Sequence, residues 1–186
     1  GTLAAGFNEL AEHLQSMYRN LEAKVAEKTA QLQEKGERLQ ALYDVSTLIT
    51  DATTLEALAS RFTQRIARVA HADAVALRWS DEGNQRYLLL ASQGLPQAMI
   101  EHEQCLKAGD CHCGAPLTAP GVRVIPVQAL PRGNLGHCTR ADFGTVVSLP
   151  IRLHERTMGE LDLFYNADVA PSQAERSLLE ALVAHL

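Results

Sequence analysis

An apolar repeat with a period of 3.5 residues runs through the first fifty residues of this 186-residue chain. One heptad frame holds throughout, and most of its a and d positions are apolar. The a positions are Ala4, Ala11, Tyr18, Val25, Leu32, Leu39 and Ser46, and the d positions are Phe7, Leu14, Leu21, Lys28, Lys35, Leu42 and Ile49. Because such a seam is buried only against another helix, the segment predicts a parallel, dimeric coiled coil.

Two lysines interrupt this seam at d positions. The ammonium groups of Lys28 and Lys35 resist desolvation, and the neighbouring Gly36 costs about 1 kcal/mol of helix propensity relative to alanine. One interpretation is a dimerisation rod whose lysines extend to solvent. The other is a bistable relay whose packing can shift between two arrangements. The relay positions that we predict are Leu14, Leu21, Val25, Lys28, Leu32, Lys35, Leu39 and Leu42.

Composition limits what the rest of the chain can be. An apolar content of 46% supports one core of ordinary domain size in addition to the long helix. A net charge of −5, without a Lys/Arg cluster, argues against a nucleic-acid or anionic-membrane partner. No run of 18 apolar residues occurs, so we expect this stretch of chain to be soluble.

After the coil, the hydrophobic pattern alternates between helical and strand periods. The last heptads lead into a second helix after a break near residues 50–53, which Asp51 or Thr54 could cap. Alternation predicts strands over 74–79, 86–91, 122–127, 145–151 and 159–165, with helices over 97–106 and 172–186. This order predicts an α+β fold: a long coiled-coil helix, then a domain with an antiparallel sheet flanked by helices.

Several motifs resemble known signalling modules. The run Ala91-Ser92-Gln93-Gly94-Leu95 resembles the end of the second strand of GAF domains, and residues 147–151 with 158–163 resemble their closing hairpin. Residues 7–14 resemble the second helix of a HAMP linker, and residues 21–32 resemble a signalling helix. The resemblance divides the chain into a HAMP-like end (1–20), a signalling-helix coiled coil (21–50) and a GAF-like sensory domain with its exit helix (51–186).

This order of modules is similar to that of nitrate/nitrite sensor histidine kinases of the NarX type. The resemblance implies the cytoplasmic part of an inner-membrane two-component sensor, relaying conformational change as a homodimer and possessing an accessory sensory domain. HAMP and membrane helices would precede it, and a kinase core acting on a response regulator would follow. The parent would be an ATP-dependent kinase, whereas this fragment is not expected to be an enzyme; we assign it no catalytic or cofactor-binding residues.

Four cysteines lie within 34 residues of one another: Cys105, Cys111, Cys113 and Cys138. Four thiolates could hold a zinc ion or an iron–sulfur cluster, although their spacing matches no standard motif. They could instead form reversible disulfides as a thiol switch, or be inert, reduced thiols. The sequence leaves these three interpretations open.

Two other functions compete with the relay. One is a thiol redox enzyme resembling the free methionine sulfoxide reductases, which are GAF domains with catalytic cysteines. The fifty residues of heptads argue against it, because a free-standing reductase does not need them. The other is a structural dimerisation spacer, for which replacement of all four cysteines would leave kinase output unchanged.

The remaining polar residues give weaker signals. Arg123, Arg132 and Arg140 could face an anion, but we interpret them as solvated surface. Trp79 alternates with Leu77 along a strand and is interpreted as core. The pair Glu101 and Glu103 is assigned to a polar helix, without the buried setting that acid–base chemistry requires.

Overall fold

The computed structural model describes residues 2–51, 54–81, 83, 85–110, 121–129 and 141–186. The chain forms two compact units, Gly1–Gln40 and Ala41–Leu186. No helix within the described ranges combines the length and the apolar content needed to cross a membrane.

The first unit is helical. Helix α1 (Thr2–Asp51) supplies all of it and ends within the second unit. Polar side chains bond along its surface: Lys28 Nζ donates to Gln31 Oε1 at 3.0 Å, and Thr29 Oγ1 donates to the Val25 carbonyl at 2.8 Å. Lys28 and Lys35 are exposed. The apolar seam residues Leu14, Leu21, Val25, Leu32 and Leu39 are 51–70% exposed.

The second unit is built on a six-stranded antiparallel sheet. After the last turns of α1, its elements are α2 (Leu55–Val69), β1 (Ala74–Ser80), β2 (Arg86–Gln93), α3 (Gln97–His102), β3 (Cys105–Lys107), β4 (Arg123–Pro126), a 3₁₀ turn (Val127–Ala129), β5 (Thr145–Leu153), β6 (Arg156–Tyr165) and α4 (Gln173–Val183). The strand order is β3-β2-β1-β6-β5-β4. The α+β class that the sequence predicts, with a long N-terminal helix, is confirmed.

Side-chain caps fix the starts of two helices. Of the two predicted caps for α2, Thr54 is the one used: its hydroxyl accepts a hydrogen bond from the Ala57 amide at 3.1 Å. Helix α4 begins with a capping box, in which Ser172 and Glu175 each accept from the other's backbone amide. The hydrogen bonds between Ser172 and Glu175 lower the pKa of Glu175.

The sheet separates two hydrophobic clusters. One face, here called the helix face, packs against α2, α4 and the last turns of α1, with Val45, Phe62, Ile66 and Leu182 fully buried. Leu42 is half-buried against the same cluster. The other face, here called the distal face, packs against α3, and its cluster includes Tyr87, Met99, Phe143 and Phe164.

The helix predicted over 97–106 is shorter than expected. Helix α3 ends at His102, and Cys105–Lys107 forms an edge strand on β2. The Leu89 amide donates to the Gln104 carbonyl at 3.0 Å, so the chain after α3 bonds to the sheet rather than to itself. Leu106 is 4% exposed opposite Tyr87, and its burial on the sheet favours the strand.

A buried polar cluster on the distal face

Charged residues stand within two of the most buried strands. Because neighbouring residues of a strand point to opposite faces, the antiparallel register places Arg78 of β1 beside Glu160 of β6. Asp162 lies two residues further along β6 and opposite Ser148 of β5, on the same face. Ser148 is in turn opposite Arg123 of β4. A polar row therefore crosses the middle of the distal face.

A fourth charged residue joins this row from the segment that follows α3. Glu103 follows α3, and its Oε2 bonds Nη2 of Arg78. Nη1 of Arg78 bonds Oδ2 of Asp162 and lies 3.8 Å from Oε1 of Glu160. All four side chains are 0% exposed. Arg78, Glu103, Glu160 and Asp162 are called the buried polar cluster below.

Carboxyl groups outnumber guanidinium groups in this cluster. Among the described residues, three carboxyls lie around the fully buried guanidinium of Arg78, and the half-buried Arg123 places a positive charge near Asp162. Burial raises the pKa of Glu103, and Arg78 opposes that rise. Burial likewise raises the pKa of Asp162, opposed first by Arg78. Burial therefore disfavours the charged form of both carboxyls, and the ion pairs with Arg78 offset part of that cost.

Aromatic and aliphatic side chains close the cluster off from water. The rings of Phe143 and Phe164 are 5.0 Å apart on the distal face. Tyr87 of β2 is 0% exposed, and burial raises the pKa of its hydroxyl, with Glu160 adding to the rise. This low-dielectric setting strengthens the ion pairs and makes any unbalanced charge expensive.

Two cavities are lined by described residues, and Arg78 of the cluster lines one of them. A groove of about 400 Å³ lies between β5 and α4 and includes Leu149, Arg152, Glu180 and Val183 in its lining. A cavity of about 40 Å³ on the helix face is lined by apolar residues, by the half-buried Trp79 and by Arg78. Trp79 therefore lies on the core side of the sheet, as the alternation with Leu77 indicates.

The proposed metal and redox residues are only partly described. Cys105 is an exposed, free thiol on edge strand β3. Cys111, Cys113 and Cys138 lie outside the described residues, as do Arg132 and Arg140. Within the described part of the chain, no group of three or more His, Cys, Asp or Glu side chains is arranged to hold a metal ion. The metal hypothesis therefore stays a prediction.

The buried polar cluster is not among the sites predicted from the sequence. The prediction that Glu103 lies on a polar helix without a buried setting is wrong, because the residue lies beyond the end of α3 and is fully buried. Arg123 is half-buried beside Asp162 rather than simply solvated. A signal was available: Arg78 and Asp162 each interrupt an apolar strand pattern at a position that alternation places inside.

The sequence of residues 54–186 matches the family model described as the GAF domain. No curated protein sequence matches the chain. Many solved structures share the fold. The GAF domain of a phosphoenolpyruvate-protein phosphotransferase from Coxiella burnetii is 20% identical, with a TM-score of 0.68 over 80% of this chain and 89% of that one.

Two other similar structures come from different functional classes. The GAF domain of a protein named as a sensor histidine kinase, from Pseudomonas syringae pv. tomato, is 20% identical, with a TM-score of 0.59 over 83% of this chain and 87% of that one. Free methionine-R-sulfoxide reductase from Neisseria meningitidis is 16% identical, with a TM-score of 0.65 over 80% of this chain and 84% of that one. At these identities the likeness shows the fold alone. The family match covers most of the chain, and the protein belongs to the GAF domain family.

Proposed function

We propose that this chain is a dimeric signal-transmission module in which a coiled coil is joined to a sensory GAF domain. The observation that carries the proposal is the course of α1. The helix presents an exposed apolar seam over residues 14–39, and its next turn places Ala41 and Val45 in the GAF core at 6% and 0% exposure. Helix α1 therefore contributes both to the exposed apolar seam and to the core of the second unit.

The exposed seam favours a second copy of this chain as the partner. Full burial of one leucine or valine side chain stabilises by roughly 1.5–3 kcal/mol, and five such residues lie more than half exposed on α1. The Lys28 and Lys35 layers oppose tight packing at the middle of the coil. A parallel dimer with a weak centre is suited to changing its packing when one end is perturbed.

The finer assignment follows from the order of modules. We propose that the chain belongs to a membrane-bound two-component sensor histidine kinase of the nitrate/nitrite type, with a HAMP linker upstream and a kinase core downstream. Supporting this are the HAMP-like and signalling-helix patterns of residues 7–32 and the similarity to a GAF domain named as part of a sensor histidine kinase. The GAF domain would add a second input to the signal passing along α1.

Charge substitution in the seam tests the dimer. Leu21→Glu combined with Val25→Glu places two carboxylates at adjacent core layers, and we expect the dimer to dissociate at least about a hundredfold more readily, as sedimentation equilibrium would show. Ala23→Glu with Ala30→Glu is the matched control, because both alanines occupy the outward f position of the same frame. A wild-type chain that stays monomeric at every concentration would contradict the relay.

A second candidate function is reduction of free methionine sulfoxide. The observation that favours it is the exposed, free thiol of Cys105, in a fold shared with the free methionine-R-sulfoxide reductase from Neisseria meningitidis. Thiol-dependent loss of free methionine-R-sulfoxide, absent when Cys105 and the three other cysteines are replaced by serine, would support the enzyme. Absence of turnover leaves the sensory module.

The cysteines also carry the cofactor hypothesis, for iron–sulfur or zinc. Protein purified without oxygen or chelators would be analysed for iron, sulfide and zinc, together with its absorption spectrum. Near-stoichiometric metal that is lost in a variant with all four cysteines replaced would make the GAF domain an input with its own cofactor. Protein without metal and with reactive thiols would leave a thiol switch or inert cysteines.

A further inference from the structure

We propose that Arg65 is a positioning residue, which fixes the end of α1 on the GAF domain through its ion pair with Asp44. That this contact passes a signal into the domain rests on the proposed function. The attachment itself does not, because it follows from the contacts of the side chains at the end of α1.

The end of α1 packs on the domain mainly through small apolar side chains. Ala41 and Val45 are buried in the cluster on the helix face, and Leu42 is half-buried against it. All three residues belong to the second unit. A methyl or isopropyl group contacts its neighbours but interlocks with them little, so this apolar packing alone tolerates a small rotation or slide of α1.

The ion pair lies beside the apolar contact on both helices. Asp44 directly precedes the fully buried Val45 on α1, and on α2 Arg65 directly precedes the fully buried Ile66. Nη2 of Arg65 bonds Oδ2 of Asp44. A slide of α1 by one residue would move Asp44 by about 1.5 Å and turn it by about 100° around the helix axis, which breaks the pair. The pair therefore selects one position of α1 where the apolar contact allows several.

This pair is more sheltered than an ordinary surface pair. The side chains of Arg65 and Asp44 are 32% and 25% exposed. Nε of Arg65 is buried, and no hydrogen-bond partner for it lies among the described residues. Exposed pairs contribute little because water and salt screen them, whereas a sheltered guanidinium that loses its partner keeps part of its desolvation cost. We therefore expect the pair to favour the docked over the released end of α1 by a factor of roughly three to ten.

Hydrogen exchange of the intact 186-residue chain tests the attachment. The reporters are the backbone amides of residues 42–45, because docking on the domain stabilises the helical hydrogen bonds that must open for them to exchange. Arg65→Asp places a carboxylate opposite Asp44, and we expect these amides to lose protection by roughly threefold to tenfold relative to wild type. Amides of β5 and β6 should keep theirs.

Two milder variants at Arg65 separate the ion pair from a packing role. Asp44 takes part in a further interaction, so substitutions at Arg65, which leave Asp44 in place, are the decisive ones. Arg65→Lys keeps a positive charge near Asp44 and should retain most of the protection. Arg65→Met keeps much of the volume without the charge, and its protection should fall between that of Arg65→Lys and that of Arg65→Asp. A side chain that acted by packing alone would leave Arg65→Met equal to Arg65→Lys.

Arg61→Asp is the matched control for the charge change. Arg61 is exposed one turn earlier on the same helix, so the substitution adds the same negative charge to α2 away from the pair. Protection of residues 42–45 in this variant should stay within about twofold of wild type.

Arg65→Met and Arg65→Lys keep the test decisive even where Arg65→Asp does not fold. Equal protection of residues 42–45 in wild type, Arg65→Lys and Arg65→Met, or equal losses in Arg61→Asp and Arg65→Asp, would mean that the pair does not fix the end of α1. Failure of the proposed function would look different. A wild-type chain that stays monomeric leaves the exchange comparison intact, because the pair joins two helices of one chain.

Discussion

Replacement of Arg78 by methionine is expected to destabilise the GAF domain by roughly 3–5 kcal/mol at pH 7, a large part of the stability of an ordinary domain. Methionine fills much of the arginine's volume but leaves Glu103, Glu160 and Asp162 facing one another without their central cation. Buried carboxylates that lose their partner keep the whole cost of their desolvation. The free energy of unfolding, measured with urea at fixed protein concentration, checks the magnitude.

The stability that the Arg78→Met variant loses should depend on pH. Without Arg78, the neutral form of the three carboxyls is buried at lower cost than the charged form, so folding takes up protons. The variant should therefore gain stability relative to wild type as pH falls from 7 towards the ordinary carboxyl pKa near 4. Fluorescence of Trp79, the only tryptophan of the chain, reports unfolding of β1 directly. Urea is preferred because guanidinium ions could enter the vacated site.

Arg86→Met provides the matched control for this substitution. Arg86 is an exposed residue at the start of β2, so the same loss of charge there should change stability by less than about 0.5 kcal/mol. An Arg78→Met variant as stable as wild type would mean that the carboxyls are already neutral or hydrated. The ion pairs of Arg78 would then contribute little to the stability of the domain.

Much of the fold follows from local pattern. The strands Ala74–Ser80, Arg86–Gln93 and Thr145–Leu153 begin where alternation predicts, because one face of each is covered by apolar side chains. The wrong helix prediction over 103–106 has a physical cause: Leu106 fits either a helix face or a strand face. Only pairing with β2, a contact between distant segments, favours the strand.

The buried polar cluster could be predicted only in part. A charged residue at an inward strand position is visible in the sequence at Arg78 and Asp162. Their pairing is not, because it depends on β1 lying next to β6, a neighbour 84 residues away along the chain. Glu103 gives no local signal, since the short helix before it is polar and exposed on its outer side.

Gly159→Ala is expected to destabilise the domain by about 3 kcal/mol, because β1 and β6 approach too closely at this point for a side chain. A Cβ on Gly159 would fall far inside contact distance of the Arg78 carbonyl oxygen, and would lie 3.2 Å from the Trp79 Cα. Backbone cannot move aside as a flexible side chain can, so the two central strands must separate. Urea unfolding followed by Trp79 fluorescence measures the loss.

Gly83→Ala is the control that separates this contact from a general effect of replacing glycine. A Cβ at Gly83 would meet only the Gln85 side chain at 3.4 Å, an ordinary contact, so the change should stay within about 0.5 kcal/mol. Separation of β1 from β6 would also displace Arg78 relative to Glu160. Gly159→Ala should therefore also weaken the contacts between Arg78 and its carboxyl partners. Normal stability would mean that the strands tolerate a side chain here, and that their close approach does not position the cluster.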